Sequence, residues 1–260
     1  GKNVFPDAKS LACSTFEEMF GAVREREVDI AMVPIENSQA GRVADTQKLI
    51  PDSDLNIIGE YFLEVKHNLL VVAGTKLSNI KRIHSHEQGI AQCRKKIIKL
   101  NKEMIMEADT AGSAKKIAEL NNNEDAAIAS ELAAKIYNLE ILESDFQDSE
   151  NNVTRFLIMS RENQILSPKE SDLLTTLVFV TKSIPASLYK CLGGFASNGV
   201  NITKLESYIH PQGFDVVQFY VDFEGHPEQQ SVKFALDEMK FFCKKINILG
   251  VYKKSKFRNK

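Results

Sequence analysis

Lys81-Arg82-Ile83-His84-Ser85, followed by His86-Glu87-Gln88-Gly89-Ile90-Ala91-Gln92-Cys93-Arg94-Lys95-Lys96-Ile97-Ile98-Lys99-Leu100, reads as a strand that turns directly into a helix. Ile90, Cys93, Ile97 and Leu100 recur at helical spacing, so the helix predicted over 86–100 packs by that face. The pattern then repeats. A strand is expected at 103–107, a helix at 110–120, a strand at 126–129 and a helix at 130–137. Such alternation is the signature of a mostly parallel sheet covered by helices. A further strand is expected at 154–159.

Working upstream, Ser14-Thr15 with Glu17-Glu18 offers a helix N-cap, and Phe16, Met19, Phe20 and Val23 follow at helical spacing. Val28 to Ile35 is nearly all apolar and reads as a buried strand. Glu36-Asn37-Ser38 and Gly41 come next, then a short helix at 43–50 and strands near 56–58 and 60–73. Downstream, residues 161–172 are polar, contain Pro168 and lack periodicity, which predicts a linker. After it come a strand (174–181), a helix (185–198, Pro185 in its first turn) and strands at 200–210 and 214–223. Pro211-Gln212-Gly213 is a turn signal between those two strands. A helix (227–244) and a strand (246–252) complete the order βαββαβ, the ferredoxin-like arrangement.

The 260 residues carry 33 basic and 35 acidic side chains, a net charge of −2, which argues against nucleic acid or an anionic membrane as partner. At this size a folded chain buries roughly 73% of its unfolded surface, enough for a sizeable core. No apolar run approaches the length of a membrane span, and no basic-then-apolar leader is visible. The four cysteines (Cys13, Cys93, Cys191, Cys243) are scattered, so a reduced, cytoplasmic setting is expected. No His or Cys cluster has metal-ligand spacing, and no P-loop, G-x-G-x-x-G or G-x-S-x-G is present.

In α/β sheets, ligands bind outside the carboxyl ends of strands. Glu36-Asn37-Ser38, Ser85-His86, Thr110 and Ser130 all fall at such places and suit a small, oxygen-rich anion, although Ser and Thr serve equally as helix caps. In Asn152-Val153-Thr154-Arg155-Phe156, Arg155 could grip a carboxylate and Thr154 could offer a hydroxyl proton. A strand start with an exposed arginine is the competing reading.

These stretches carry a resemblance. Val33-Pro34-Ile35-Glu36-Asn37-Ser38, Ser85-His86-Glu87-Gln88-Gly89-Ile90-Ala91-Gln92-Cys93, Ala127-Ile128-Ala129-Ser130 and Asn152-Val153-Thr154-Arg155-Phe156 resemble, in order, the motifs of prephenate dehydratase. Leu188-Tyr189, Gly199-Val200-Asn201-Ile202-Thr203 and Leu205-Glu206-Ser207 resemble that family's regulatory ACT domain. The resemblance implies an α/β catalytic domain over 1–161 with two lobes of the type 2 periplasmic-binding-protein kind and the site in their cleft. The second lobe would span about 69–142, with 154–160 returning to the first. A linker (162–172) and an α+β ferredoxin-like ACT domain (173–260) would follow. It implies conversion of prephenate to phenylpyruvate in L-phenylalanine synthesis, no cofactor or metal, L-phenylalanine as effector, and a homodimer or homotetramer.

Carried over residue by residue, Thr154 would protonate or hydrogen-bond the departing hydroxyl, and Arg155 would hold a substrate carboxylate. Glu36, Asn37, Ser38, Ser85 and Gln92 would line or support the site, Gln92 lying two helical turns beyond Ser85. Thr110 and Ser130 would form its wall. Ser187, Leu188, Asn198, Asn201, Glu206 and Ser207 would contact the effector. Four departures stand out. No counterpart of the family's opening strand and G-P-x-G-[TS]-[FY]-S-like loop precedes Glu17, so the chain is expected to start just after that segment. S-H-P-Q reads Ser85-His86-Glu87-Gln88, E-S-R-P reads Glu206-Ser207-Tyr208-Ile209, and G-A-L reads Ala186-Ser187-Leu188. Two other readings are a two-lobed amino-acid or keto-acid sensor without catalysis, and the same dehydration performed on arogenate.

Overall fold

Local chemistry sets the helix ends. Thr15 caps α1 (Phe16–Arg24) by accepting from the Glu18 N–H, while Glu18 reaches back to the Ser14 N–H. The computed structural model describes residues 1, 3–209 and 217–259. In chain order the elements after α1 are β1 (Ile30–Asn37), β2 (Gly41–Arg42), α2 (Ala44–Leu49), β3 (Asn56–Glu64), β4 (Asn68–Val71) and β5 (Arg82–His86). Then come α3 (Glu87–Gln92), α4 (Arg94–Leu100), β6 (Glu103–Glu107), α5 (Thr110–Leu120), β7 (Asp125–Ala129), α6 (Glu131–Tyr137), β8 (Glu140–Glu143) and β9 (Val153–Ser160). The last stretch holds β10 (Leu173–Thr181), α7 (Ser187–Ser197), β11 (Ile202–Ile209), β12 (Val217–Glu224), α8 (Gln230–Lys240) and β13 (Cys243–Lys253). The turn expected at Pro211-Gln212-Gly213 lies outside the described residues. This is a mixed α/β fold.

Two compact units emerge. Residues 1–36, 42–62 and 155–260 form the first, and residues 37–41 and 63–154 form the second. The polar stretch 161–172 therefore lies inside the first unit.

In the first unit one sheet has the order β2-β1-β9-β3 and another the order β11-β12-β10-β13, the latter antiparallel throughout. Strand periodicity gives the second sheet two apolar faces. Leu177, Phe179, Phe219, Val221 and Phe223 form a core with Cys191 and Phe195 of α7 and Val232, Ala235 and Met239 of α8. Leu174, Val178, Tyr220, Leu249 and Tyr252 instead join Val33, Ile35, Ile57, Leu157 and Met159 of the first sheet. Gly250 makes that second contact possible: a Cβ there would lie 2.0 Å from the Ile57 carbonyl oxygen, so β13 and β3 meet backbone to backbone.

The second unit holds a five-stranded sheet, β6-β5-β7-β4-β8. β5 pairs parallel with β6 and β7, and β4 runs antiparallel to β7 and β8, so four strands share one direction, as expected of a mostly parallel sheet, and β4 alone opposes them. The strand expected over 60–73 is two strands, β3 and β4. The helix expected over 86–100 breaks at Cys93. Asp148 accepts from the Lys95 and Lys96 N–H groups, supplying a fresh cap for α4. α4, α5 and α6 each end on an asparagine in the left-handed region (Asn101, Asn121, Asn138), the side chain best able after glycine to stop a helix this way.

Candidate active site

In the second unit, a run of amide side chains ends on Thr154. Asn37, the last residue of β1, presents its Oδ1 to the Gln39 and Ala40 N–H groups at 2.9 and 2.8 Å. That fixes which way the amide faces. Its Nδ2 donates to Thr154 Oγ1 at 3.0 Å and to Asn152 Oδ1 at 2.8 Å. Asn152, itself buried, donates from Nδ2 to Gln92 Oε1 at 2.6 Å. His67 Nε2 lies 2.7 Å from the same oxygen. Burial lowers the His67 pKa, against the opposing pull of the Gln92 contact. Thr154 is half-buried, and its oxygen serves as an acceptor toward Asn37.

The other expected residues of this unit divide. Ser38 clasps the backbone: its hydroxyl donates to the Asn151 carbonyl and accepts from the Val153 N–H. Ser85 sits in β5 rather than on a helix, so it shares no helix face with Gln92. It is fully buried and donates to the Ile128 carbonyl, so it lines no accessible surface. Gly89 permits this arrangement, since a Cβ there would sit 2.5 Å from Ser85 Oγ. Thr110 is the first residue of α5, but the cap is Asp109, which accepts from the Gly112 N–H. Ser130 is exposed and caps α6 through the Ala133 N–H. For Ser130 the helix-cap reading suffices.

In the first unit Arg155 corrects the expectation more sharply. It is 1% exposed, neither surface-facing nor open to a ligand. Its Nε donates to Glu60 at 2.8 Å, its Nη1 to Asp222 at 2.6 Å and Glu36 at 3.0 Å, and its Nη2 to the Tyr252 hydroxyl at 3.0 Å. These acceptors belong to β1, β3, β12 and β13, so a single guanidinium ties both sheets of the unit together. Glu36 also receives Lys204, which in turn reaches Glu206. Burial pushes the Glu36 carboxyl up, but Lys204 and Arg155 outweigh it and hold the pKa below the ordinary value. Arg155 and Glu36 thus carry structure, each committed to partners within the first unit.

The residues expected to meet the effector do not gather in this chain. Glu206 binds Lys204 and Gln47 of α2, on the side of the sheet opposite α7. Ser187 and Leu188 open α7, whereas Asn198 closes it, donating to the Gly194 carbonyl and to Glu238. Asn201 donates to Glu224, and Ser207 is exposed with its carbonyl accepting from Arg42.

Asn152 and His67 complete the Thr154 string, and Glu60, Lys204, Asp222 and Tyr252 complete the Arg155 network; none of the six is among the site residues expected from the sequence. For Asp222 a signal existed: it is the one charge inside the apolar run Phe219-Tyr220-Val221-Asp222-Phe223.

Comparison with known proteins agrees with the motif reading. The sequence model of the family described as prephenate dehydratase matches residues 2–164. A Komagataeibacter europaeus protein, a bifunctional N-acyl-homoserine lactone acylase/prephenate dehydratase, is 44% identical over 98% of this chain and 91% of its own length. An Arabidopsis thaliana arogenate dehydratase/prephenate dehydratase is 38% identical over 96% of this chain and 68% of its own. A crystal structure of the Arthrobacter aurescens prephenate dehydratase in complex with L-Phe superposes with a TM-score of 0.86 at 32% identity, covering 96% of this chain and 82% of that one.

Proposed function

This chain belongs to the prephenate dehydratase family, and we propose that it removes water and carbon dioxide from prephenate to give phenylpyruvate, with Thr154 meeting the departing hydroxyl. One observation carries the role of Thr154: Asn37 donates to its oxygen at 3.0 Å, which leaves the Thr154 proton for a substrate oxygen. A threonine hydroxyl is a weak acid. An N–H held on its oxygen stabilises the charge that builds as the proton leaves.

The bonds balance. The ring C–O bond breaks as the Thr154 proton moves to the departing oxygen, forming water. The ring carboxylate leaves as carbon dioxide, and its bonding electrons complete the aromatic ring. Solvent returns the proton to Thr154. With Arg155 committed inside the first unit, neutral amides such as Gln92 hold the carboxylate. A guanidinium partner would stabilise that carboxylate and oppose its loss, so amide donors suit decarboxylation better.

We read residues 1–161 as a catalytic domain with two lobes of the periplasmic-binding-protein kind, 162–172 as a linker and 173–260 as an ACT regulatory domain. The βαββαβ order supports the last assignment. L-Phenylalanine is the proposed effector, in keeping with the Arthrobacter complex, and Ser187, Leu188, Asn198, Asn201 and Ser207 remain its proposed contacts. The proposed assembly is a homodimer or homotetramer, and the proposed setting is cytoplasmic. No helix among the described residues is long and apolar enough to cross a membrane.

The Komagataeibacter relative's name also carries amide hydrolysis. A threonine nucleophile would need a base at its oxygen. The imidazole of the string, His67, is separated from Thr154 by the side chains of Gln92, Asn152 and Asn37, which favours the lyase reading. The test is phenylpyruvate formation from prephenate, run beside arogenate and with and without L-phenylalanine. Thr154→Ala should lower kcat at least about 100-fold, the lower range for a positioned proton donor. Unchanged turnover in that variant would sink the role, and binding without any turnover would favour the sensor reading.

A further inference from the structure

His67 stands in the sequence without a partner motif, yet it closes the far end of the Thr154 string. It is 6% exposed, immediately before β4, and its backbone is pinned on both sides. Its N–H donates to Gln147 Oε1 at 2.9 Å, and its carbonyl accepts from the Phe146 N–H at 2.6 Å. The same segment holds Gln92, whose carbonyl accepts from the Asp148 N–H at 2.7 Å. Phe146 is fully buried in the apolar core that includes Ile90 and Cys93. The imidazole and the amide it faces are therefore set by one well-anchored strap.

The direction of every hydrogen bond in the string then follows from what each atom can do. Backbone N–H groups claim Asn37 Oδ1, so Nδ2 is the group that reaches Thr154 and Asn152. Asn152 accepts with Oδ1 and must donate with Nδ2. Gln92 consequently turns its Oε1 inward. A carbonyl oxygen only accepts, so His67 carries its proton on Nε2. Two donors on one oxygen fix both the flip and the rotamer of Gln92. Its Nε2 amino group makes no hydrogen bond to the protein among the described residues.

We propose that His67 is a positioning residue for the dehydratase reaction: donating from Nε2, it locks Gln92 with its amino group outward, as a neutral donor for a substrate carboxylate. This rests on the reading of the site given above. His67 touches no substrate and acts through Gln92.

The experiment compares steady-state kinetics on prephenate for the full chain, His67→Phe, His67→Gln, Gln92→Ala and the His67→Phe/Gln92→Ala double variant. Phenylalanine keeps the bulk and removes the donor. Glutamine keeps an N–H at similar reach. His67→Phe should raise KM about tenfold or more, the scale of one hydrogen bond to a charged group, while changing kcat less than threefold. His67→Gln should recover most of that loss. The double variant should be no worse than Gln92→Ala alone. Unchanged KM in a folded His67→Phe, or additive losses in the double variant, would overturn the proposal. A readout independent of turnover is the ¹⁵N spectrum of the His67 ring. An Nε2–H tautomer is expected, and an Nδ1–H tautomer would refute the lock. Inactive wild-type chain, or an unaffected Thr154→Ala, would remove the dehydratase reading and so the reaction half of the proposal, while the spectrum still decides the lock.

Discussion

Replacing Arg155 by methionine separates two accounts of this residue. In the structure Arg155 lies 2.6 Å from Asp222, 2.8 Å from Glu60 and 3.0 Å from Glu36. Glu60 would keep Arg258, which contacts both its oxygens at 2.8 and 3.0 Å. Asp222 would not be so well served. It would keep the Thr176 hydroxyl at 2.6 Å, and its nearest remaining cation, Arg258, is 4.0 Å away. A buried carboxylate stripped of its cation costs about 3–5 kcal/mol. For a chain of this size that corresponds to a fall in Tm of roughly 6–20 °C. The double variant Arg155→Met/Asp222→Asn should recover part of the loss, because the stranded charge is gone. Thermal unfolding followed by circular dichroism measures both. A Tm within about 2 °C of wild type, together with a raised KM for prephenate, would refute this reasoning and return Arg155 to the substrate.

Two further predictions concern packing and pH. Gly250→Ala places a methyl group 2.0 Å from the Ile57 carbonyl oxygen, so β3 and β13 must part. Overpacking of this kind costs about 1–3 kcal/mol, and an unchanged Tm would show that the two strands have slack. The His67 pKa is lowered in the folded state from its ordinary 6.5, so between those two values the unfolded chain binds the extra proton. Its contribution to stability is complete above about pH 6.5 and declines as pH falls through the folded value, so denaturant midpoints should drop over that window in wild type and less in His67→Phe.

How much of this was legible in the sequence depends on the distance over which a feature is decided. α5 and β6 begin and end where the periodicity placed them, because caps and spacing are local. The antiparallel course of β4 was hidden, since a short apolar run looks the same whichever way its neighbour points. The break at Cys93 depends on Asp148, more than fifty residues away, and no window around Cys93 contains that information. The site divides in the same manner. Thr154, Asn37 and Gln92, which stand in three separate motifs, are joined by hydrogen bonds through Asn152. Ser85 and Arg155 stand in the same motifs but are consumed by the fold. A motif marks residues that matter, and burial decides whether they matter to a ligand or to the chain.

The first unit combines residues 1–36, 42–62 and 155–260, whereas the second lies almost entirely within residues 63–154, with only 37–41 outside that run. The order of synthesis gives this interleaving a consequence. At bacterial or eukaryotic elongation rates of about 5–20 residues per second, several seconds pass between the emergence of Thr154 and of the last strand. During that interval the second unit has its whole sequence available, while Val33, Ile35 and Ile57 lack the partners they will find in Leu249 and Tyr252. β1 and β3 must therefore wait for β13. The nascent apolar strand 30–37 is the segment that a ribosome-associated chaperone would need to shield.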